Sequence, residues 1–179
     1  GMRISETSRA FMRVIKADAD KASGHSLVIF PGGGYSILAY RHEATDVAKF
    51  FSNKGITCFI VYYRVTRQAG QRGYQFPGPL LDARQAIRHI RENAESYAIN
   101  PNKLGVLGFS AGGHLASMCA TRYDDKLEGD PASGTSVRPN FAAMIYPVVS
   151  MVADYTHNGS RNKLLGARST EEQKVAASA

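Results

Sequence analysis

The segment Gly108-Phe109-Ser110-Ala111-Gly112 is a GxSxG lying between an apolar strand-like run and an apolar helix-like run, the context in which this spacing seats a nucleophile. A sharp strand-to-helix turn leaves no room for side chains beside the serine, so Gly108 and Gly112 are the elbow residues that allow it. Such a turn lifts the Ser110 hydroxyl over the sheet edge, at the positive end of the next helix. The chemistry that fits is attack on an acyl carbonyl, which needs donors for the oxyanion that forms. Pro31-Gly32-Gly33-Gly34-Tyr35 follows the apolar run Ser26–Phe30. The amides of Gly33 and Gly34, with that of Ala111, are the expected oxyanion hole, in which one donor is worth roughly 3–4 kcal/mol of barrier. The plain alternatives are close strand–helix packing around the serine and an ordinary loop at the glycines. A dinucleotide fingerprint fails because Ile37 stands where the third glycine belongs, and no GxxxxGK[ST] occurs. Tyr35, beside the glycines, either shapes an acyl pocket or simply packs.

A serine needs a base. The order serine, acid, histidine is met within the chain by Ser110, Asp154 and His157, although His157 would have to fold back from its own acid across the sheet edge, and ordinary loop roles are favoured. His114 lies four residues beyond Ser110 on a helix that points the serine away from it, so packing or hydrogen bonding is expected. His42 with Glu43 reads as a helix cap, with a place near the site as the alternative, Asp82 as a helix-terminal charge beside Arg84, and His25 and His89 as solvent-facing. No metal is expected, since HExxH, clustered carboxylates and Cys/His spacing are absent. No cofactor is required. Cys58 and Cys119 read as small buried hydrophobes.

The elements that must position these residues alternate between strand and helix patterns, the signature of a mostly parallel, doubly wound sheet in a three-layer α/β/α sandwich. Strands are expected at Phe11–Ala17, Ser26–Phe30, Thr57–Tyr63, Lys103–Phe109 and Phe141–Val149. Helices are expected at His42–Lys54, from Pro79 to about Tyr97, at Ser110–Tyr123 and near Thr170–Ala179. A polar loop from Arg64 to Gly78 is long enough to suggest a functional rim.

The run PGGGY, then Tyr62-Tyr63-Arg64, then Asp82-Ala83-Arg84-Gln85-Ala86-Ile87-Arg88, then Gly105 to Ala116, resembles α/β-hydrolase esterases. The similarity is greatest to the bacterial acetylxylan or feruloyl esterase-like group, akin to hormone-sensitive-lipase-like enzymes, and it spans Ser26 to Ala179. The resemblance implies Ser110 as nucleophile, Gly33, Gly34 and Ala111 as oxyanion donors, and small acyl esters, acetylated or feruloylated sugars among them, as substrates. Pro31 replaces the histidine that opens HGGG in the lipase-like branch, and Ala44 follows Glu43 where the group has glycine. The family's catalytic aspartate and histidine follow two further strands, and the sequence ends before either.

With 179 residues, 44% apolar and 21% charged, the expectation is one globular domain over 1–179, incomplete at its C-terminus. Gly1 ahead of Met2 reads as an expression scar, and the compartment stays open. Apolar runs are strand-length, so no membrane span is expected. The net charge of +7 would suit nucleic acid, but no recognition motif accompanies it. Arg84, Arg88 and Arg91 share a helix face that reads as solvated. A last strand without its neighbour leaves an apolar edge, so homodimerisation through that edge, or poor solubility, is expected. The reading is a serine carboxylic-ester hydrolase. The alternatives are an inactive hydrolase-like binding module, a serine peptidase of the same fold, and, with no motif in its favour, a basic nucleic-acid-associated domain.

Overall fold

The computed structural model describes residues 2–66 and 74–179; Arg67, Arg72 and the centre of the polar loop lie outside them. The chain runs β1 (Arg3–Ile4), β2 (Glu6–Thr7), β3 (Phe11–Ile15), β4 (Ser26–Phe30), β5 (Leu38–Ala39), a π-helical turn (Arg41–Thr45), α1 (Asp46–Ser52), β6 (Thr57–Tyr62) and β7 (Val65–Thr66). It continues with α2 (Gly78–Glu92), β8 (Leu104–Phe109), α3 (Ala111–Thr121), β9 (Phe141–Ile145), α4 (Asn158–Leu165) and α5 (Glu171–Ala176).

Five strands form the main sheet in the order β3-β6-β4-β8-β9. β3 is antiparallel to β6, and the other pairs are parallel. Covered on both faces, β4 and β6 are apolar at nearly every position and buried at all of them, as parallel central strands require. In register, Val28 stands beside Phe59 on one side and Val106 on the other. From β4 the chain steps to β6 on one side, then crosses back to β8 on the other. Right-handed crossovers therefore put α1 and α2 on opposite faces. The reversal also opens a crevice at the carboxyl ends of β4 and β8, where α/β sheets of this kind hold their ligands.

Several expected elements are shorter or differently built. The first helix begins as a π turn, with the Thr45 amide reaching back to Tyr40 O at 3.3 Å. The long helix stops at Glu92: the backbone and side-chain amides of Asn93 both donate to His89 O, at 3.1 and 2.8 Å, and the Ala94 amide turns to Arg91 O at 3.4 Å. The last strand stops at Ile145, since Tyr146 has φ 39° and Pro147 has no amide to give a ladder. The two-residue ladders β1–β5 and β2–β7 are too short to show a period, and α4, Asn158–Leu165, carries no apolar stripe.

The expected solvated arginine face is a correction. Arg84 and Arg88 are 2% and 6% exposed, and both grip Asp130, at 2.6 and 2.9 Å. Arg84 also donates to the carbonyls of Asp125 and Arg122, and Arg91 to those of Ser136 and Arg138. The stripe therefore pins the polar 124–140 segment to α2. Buried guanidinium groups with carboxylate and carbonyl partners can be accommodated, and charge patterning alone does not distinguish that from solvation. Cys58 and Cys119 are buried free thiols, each pushed up to about 12 by burial. Among the described residues, no helix is long and apolar enough to cross a membrane, and no group of three or more His, Cys, Asp or Glu is placed to hold a metal ion.

Candidate active site

Ser110 joins β8 to α3 with φ 50° and ψ −115°, a conformation that costs a non-glycine residue on the order of 1–3 kcal/mol. Three backbone bonds hold it there. The Ser110 amide donates to Ile145 O at 3.0 Å, while its carbonyl accepts from the amides of His114 at 3.0 Å and Val148 at 3.2 Å. The flanking glycines are required by close approach: a methyl group on Gly108 would sit 2.0 Å from Gly112 O, and one on Gly112 would sit 2.0 Å from Phe30 O. The elbow is thus pressed directly onto the end of β4.

That contact brings the glycine loop alongside the serine. A methyl group on Gly32 would lie 3.1 Å from Ser110 Cβ. Gly33 has φ 140°, and any side chain there would strike Ile37 O. Its carbonyl closes the turn by accepting from Ser36 and Ile37, both at 3.1 Å. The amides of Gly33 and Gly34 donate to no described residue, and Ala111, as the first residue of α3, has no acceptor in its own helix. Three unspent donors therefore belong to the segments that meet at Ser110.

The walls come from the segment after β9. Ser110, Tyr146, Val148, Tyr155, Thr156 and His157 line a cleft of about 260 Å³. A larger hollow of about 580 Å³ around Arg91, Asn102, Ser136 and Asn140 lies at the opposite, amino ends of β8 and β9, away from the elbow. His157 reaches the cleft but caps α4: its Nδ1 is 2.8 Å from Ser160 Oγ and accepts from the Ser160 amide at 3.2 Å. Among the described residues, no group hydrogen-bonds the Ser110 hydroxyl, and Asp154 does not bond His157. The Ser110, Asp154, His157 relay is not assembled.

His114 is wholly buried. Its Nε2 is 2.7 Å from Ala177 O, and a carbonyl only accepts, so Nε2 carries the proton and Nδ1 accepts from the Tyr35 hydroxyl at 2.5 Å. Burial lowers its pKa to about 4, against a smaller opposing effect of the Ala177 bond. Of the two readings left open for Tyr35, the structure takes packing. The ring is 2% exposed, edge-on to Tyr63 and His114, and does not line the cleft. Asp82 is more than a helix-terminal charge, since it holds both the Arg64 guanidinium and the Arg64 backbone amide at 2.9 Å. His25 meets Ser23, and the exposed His89 meets Tyr97.

The cap reading of His42 and Glu43 is also corrected: Tyr40 stands at the N-cap with no side-chain cap bond, and Glu43 lies beside the glycine loop. Glu43 is buried. Its Oε2 accepts from the Gly32 amide at 2.7 Å and its Oε1 from the Tyr146 hydroxyl at 3.0 Å, while exposed His42 stands 3.7 Å from Oε1. Burial raises the Tyr146 pKa, and the bond to Glu43 adds to it. A partner 103 residues away leaves no local pattern in sequence.

The BD-FAE family model matches residues 13–179. The chain belongs to the BD-FAE family. It is 36% identical over 156 residues to the acetylxylan esterase of Xylanibacter ruminicola, covering 87% of this chain and 29% of that protein. The crystal structure of an acetyl ester-xyloside bifunctional hydrolase from Caldicellulosiruptor lactoaceticus superposes with a TM-score of 0.79 at 39% identity, covering 93% of this chain and 58% of that one. An α/β-hydrolase enzyme from a Medee basin deep-sea metagenome library gives 0.62 at 31% identity, covering 87% of this chain and 60% of that one. The BD-FAE chain thus has the α/β-hydrolase fold and spans between under a third and three fifths of these relatives' lengths.

Proposed function

We propose that this BD-FAE chain carries the nucleophile and oxyanion machinery of a serine carboxylic-ester hydrolase that acts through an acyl-enzyme at Ser110. The observation that carries the reading is the strained Ser110 elbow, packed onto the end of β4 beside three amides that donate to no described residue. Ser110 Oγ attacks the ester carbonyl and passes its proton to a base. The amides of Gly33, Gly34 and Ala111 stabilise the oxyanion, the alcohol leaves, and water releases the acid from the acyl-enzyme. Acetyl esters of xylose-type sugars are the proposed substrates, on the strength of the relatives' names.

The test is intact mass after exposure to a fluorophosphonate, with 4-nitrophenyl acetate hydrolysis in parallel and Ser110→Ala as control. One adduct per chain that disappears in Ser110→Ala is expected. An unlabelled, folded chain would refute an activated serine and leave a second reading, a hydrolase-like binding module. That alternative draws on the Ser110 hydroxyl having no hydrogen-bonded base among the described residues.

A further inference from the structure

We infer that Glu43 is a positioning residue that locks the glycine loop and the Tyr146 wall into one unit around Ser110. The inference rests on the esterase reading for its catalytic consequence, but not for its geometry. Glu43 Oε2 accepts from the Gly32 amide at 2.7 Å, the residue immediately before the two candidate oxyanion donors. Its Oε1 accepts from the Tyr146 hydroxyl at 3.0 Å. Tyr146 lies just beyond the Ile145 carbonyl that accepts from the Ser110 amide. One carboxylate therefore ties the end of β4 to the end of β9, with the serine elbow between them.

The surroundings make this a brace rather than an incidental contact. Gly32 is wedged so tightly that a methyl group on it would be 2.7 Å from Glu43 Oε2 and 3.1 Å from Ser110 Cβ. Behind it, the Tyr63 hydroxyl donates to Pro31 O at 2.6 Å, so the loop is gripped at consecutive residues. Glu43 itself projects from the π turn, a local distortion that recurs at functional sites. Tyr146 is 63% exposed, and besides the bond from its hydroxyl its ring meets that of Phe109, 6.0 Å between centroids, so without Glu43 this ring contact alone would steady the side chain against the elbow. A buried carboxylate that accepts two charge-assisted bonds sets position firmly. Oxyanion donors act only when preorganised, and a displacement of about 1 Å can cost on the order of 100-fold in rate.

Two measurements on the full chain, made on wild type, Glu43→Ala, Glu43→Gln and Tyr146→Phe, test this. The first is amide hydrogen exchange at Gly32, with β4 and β8 amides as the folding control. Glu43→Ala is expected to speed exchange at Gly32 at least tenfold while the strand amides hold. Glu43→Gln, whose amide oxygen still accepts from Gly32, is expected to stay within about threefold. The second is hydrolysis of 4-nitrophenyl acetate. Glu43→Ala is expected to lower kcat by about 10- to 100-fold with KM changed by less than about threefold, Tyr146→Phe to lower it by a few-fold, and Glu43→Gln to recover most of the rate.

Unchanged Gly32 exchange in Glu43→Ala, or a raised KM at constant kcat, would overturn the assignment. So would a Gln variant as slow as the Ala variant with Gly32 still protected, since charge rather than position would then matter. A wild-type chain that hydrolyses nothing would sink the esterase reading, and Gly32 exchange would still decide the brace.

Discussion

Strands β4 and β9 both pair in parallel with β8, one on each side. Every residue of β4 is buried, whereas in β9 Phe141, Met144 and Ile145 are 43%, 40% and 39% exposed. The candidate site straddles this boundary. Its amide donors and strained serine follow the carboxyl ends of the covered strands β4 and β8, and its cleft walls follow the thinly covered strand. Groups that must be preorganised stand on rigid backbone. Groups that meet a variable partner stand where the chain is less constrained.

The contrast can be broken most directly by one substitution made on both sides. Ile29→Ala, in β4, is expected to cost about 2–5 kcal/mol, and Ile145→Ala, in β9, under about 1 kcal/mol. Urea unfolding at constant m value checks both, and similar losses would erase the distinction.

A smaller effect concerns His114, which lies behind the elbow and links the covered region through Tyr35 to α5 through Ala177. In the unfolded chain its imidazole takes up a proton below about 6.5, but in the folded protein only near 4. Between those values the unfolded chain holds more protons, so stability falls on acidification, by on the order of 3 kcal/mol across the window. Urea midpoints from pH 7 to 4 are expected to drop accordingly. His114→Gln should flatten that slope, and an unflattened slope would assign it to other groups.

The smallest effect sharpens the strain at the elbow. Ser110→Gly is expected to raise stability by about 1 kcal/mol, because glycine tolerates φ 50° and gives back only part of that gain as backbone entropy. Ser110→Ala keeps the strain and should melt with wild type. A glycine variant that melts lower would mean the elbow is relaxed as it stands.

How far the sequence carried differs between the same two regions. Ser26–Phe30 and the elbow could be read because buried parallel strands and close backbone approach demand particular residue types at fixed spacing. Position 43 could not. A glutamate in the first turn of an amphipathic helix fits a cap as well as a brace, and its partners Gly32 and Tyr146 are fixed only by tertiary contact. The arginine stripe departs for a related reason: i, i+4, i+7 spacing establishes that Arg84, Arg88 and Arg91 share a face, while the burial of Arg84 and Arg88 depends on the 124–140 segment folding over them. Beyond Ile145 the pattern weakens because backbone and capping bonds, such as His157 with Ser160, replace apolar periodicity.

The π turn at Arg41–Thr45 also sets a rule about length. It accommodates one residue more than an α-helix would over the same path, so deleting any one of the five would let the helix run on regularly and swing what precedes it by about 100°. Glu43 would then face away from Gly32. Exposed Arg41 and His42 should accept many replacements in an evolving or engineered chain, but not a shortened reading frame. For this stretch, the register of the chain is the heritable feature.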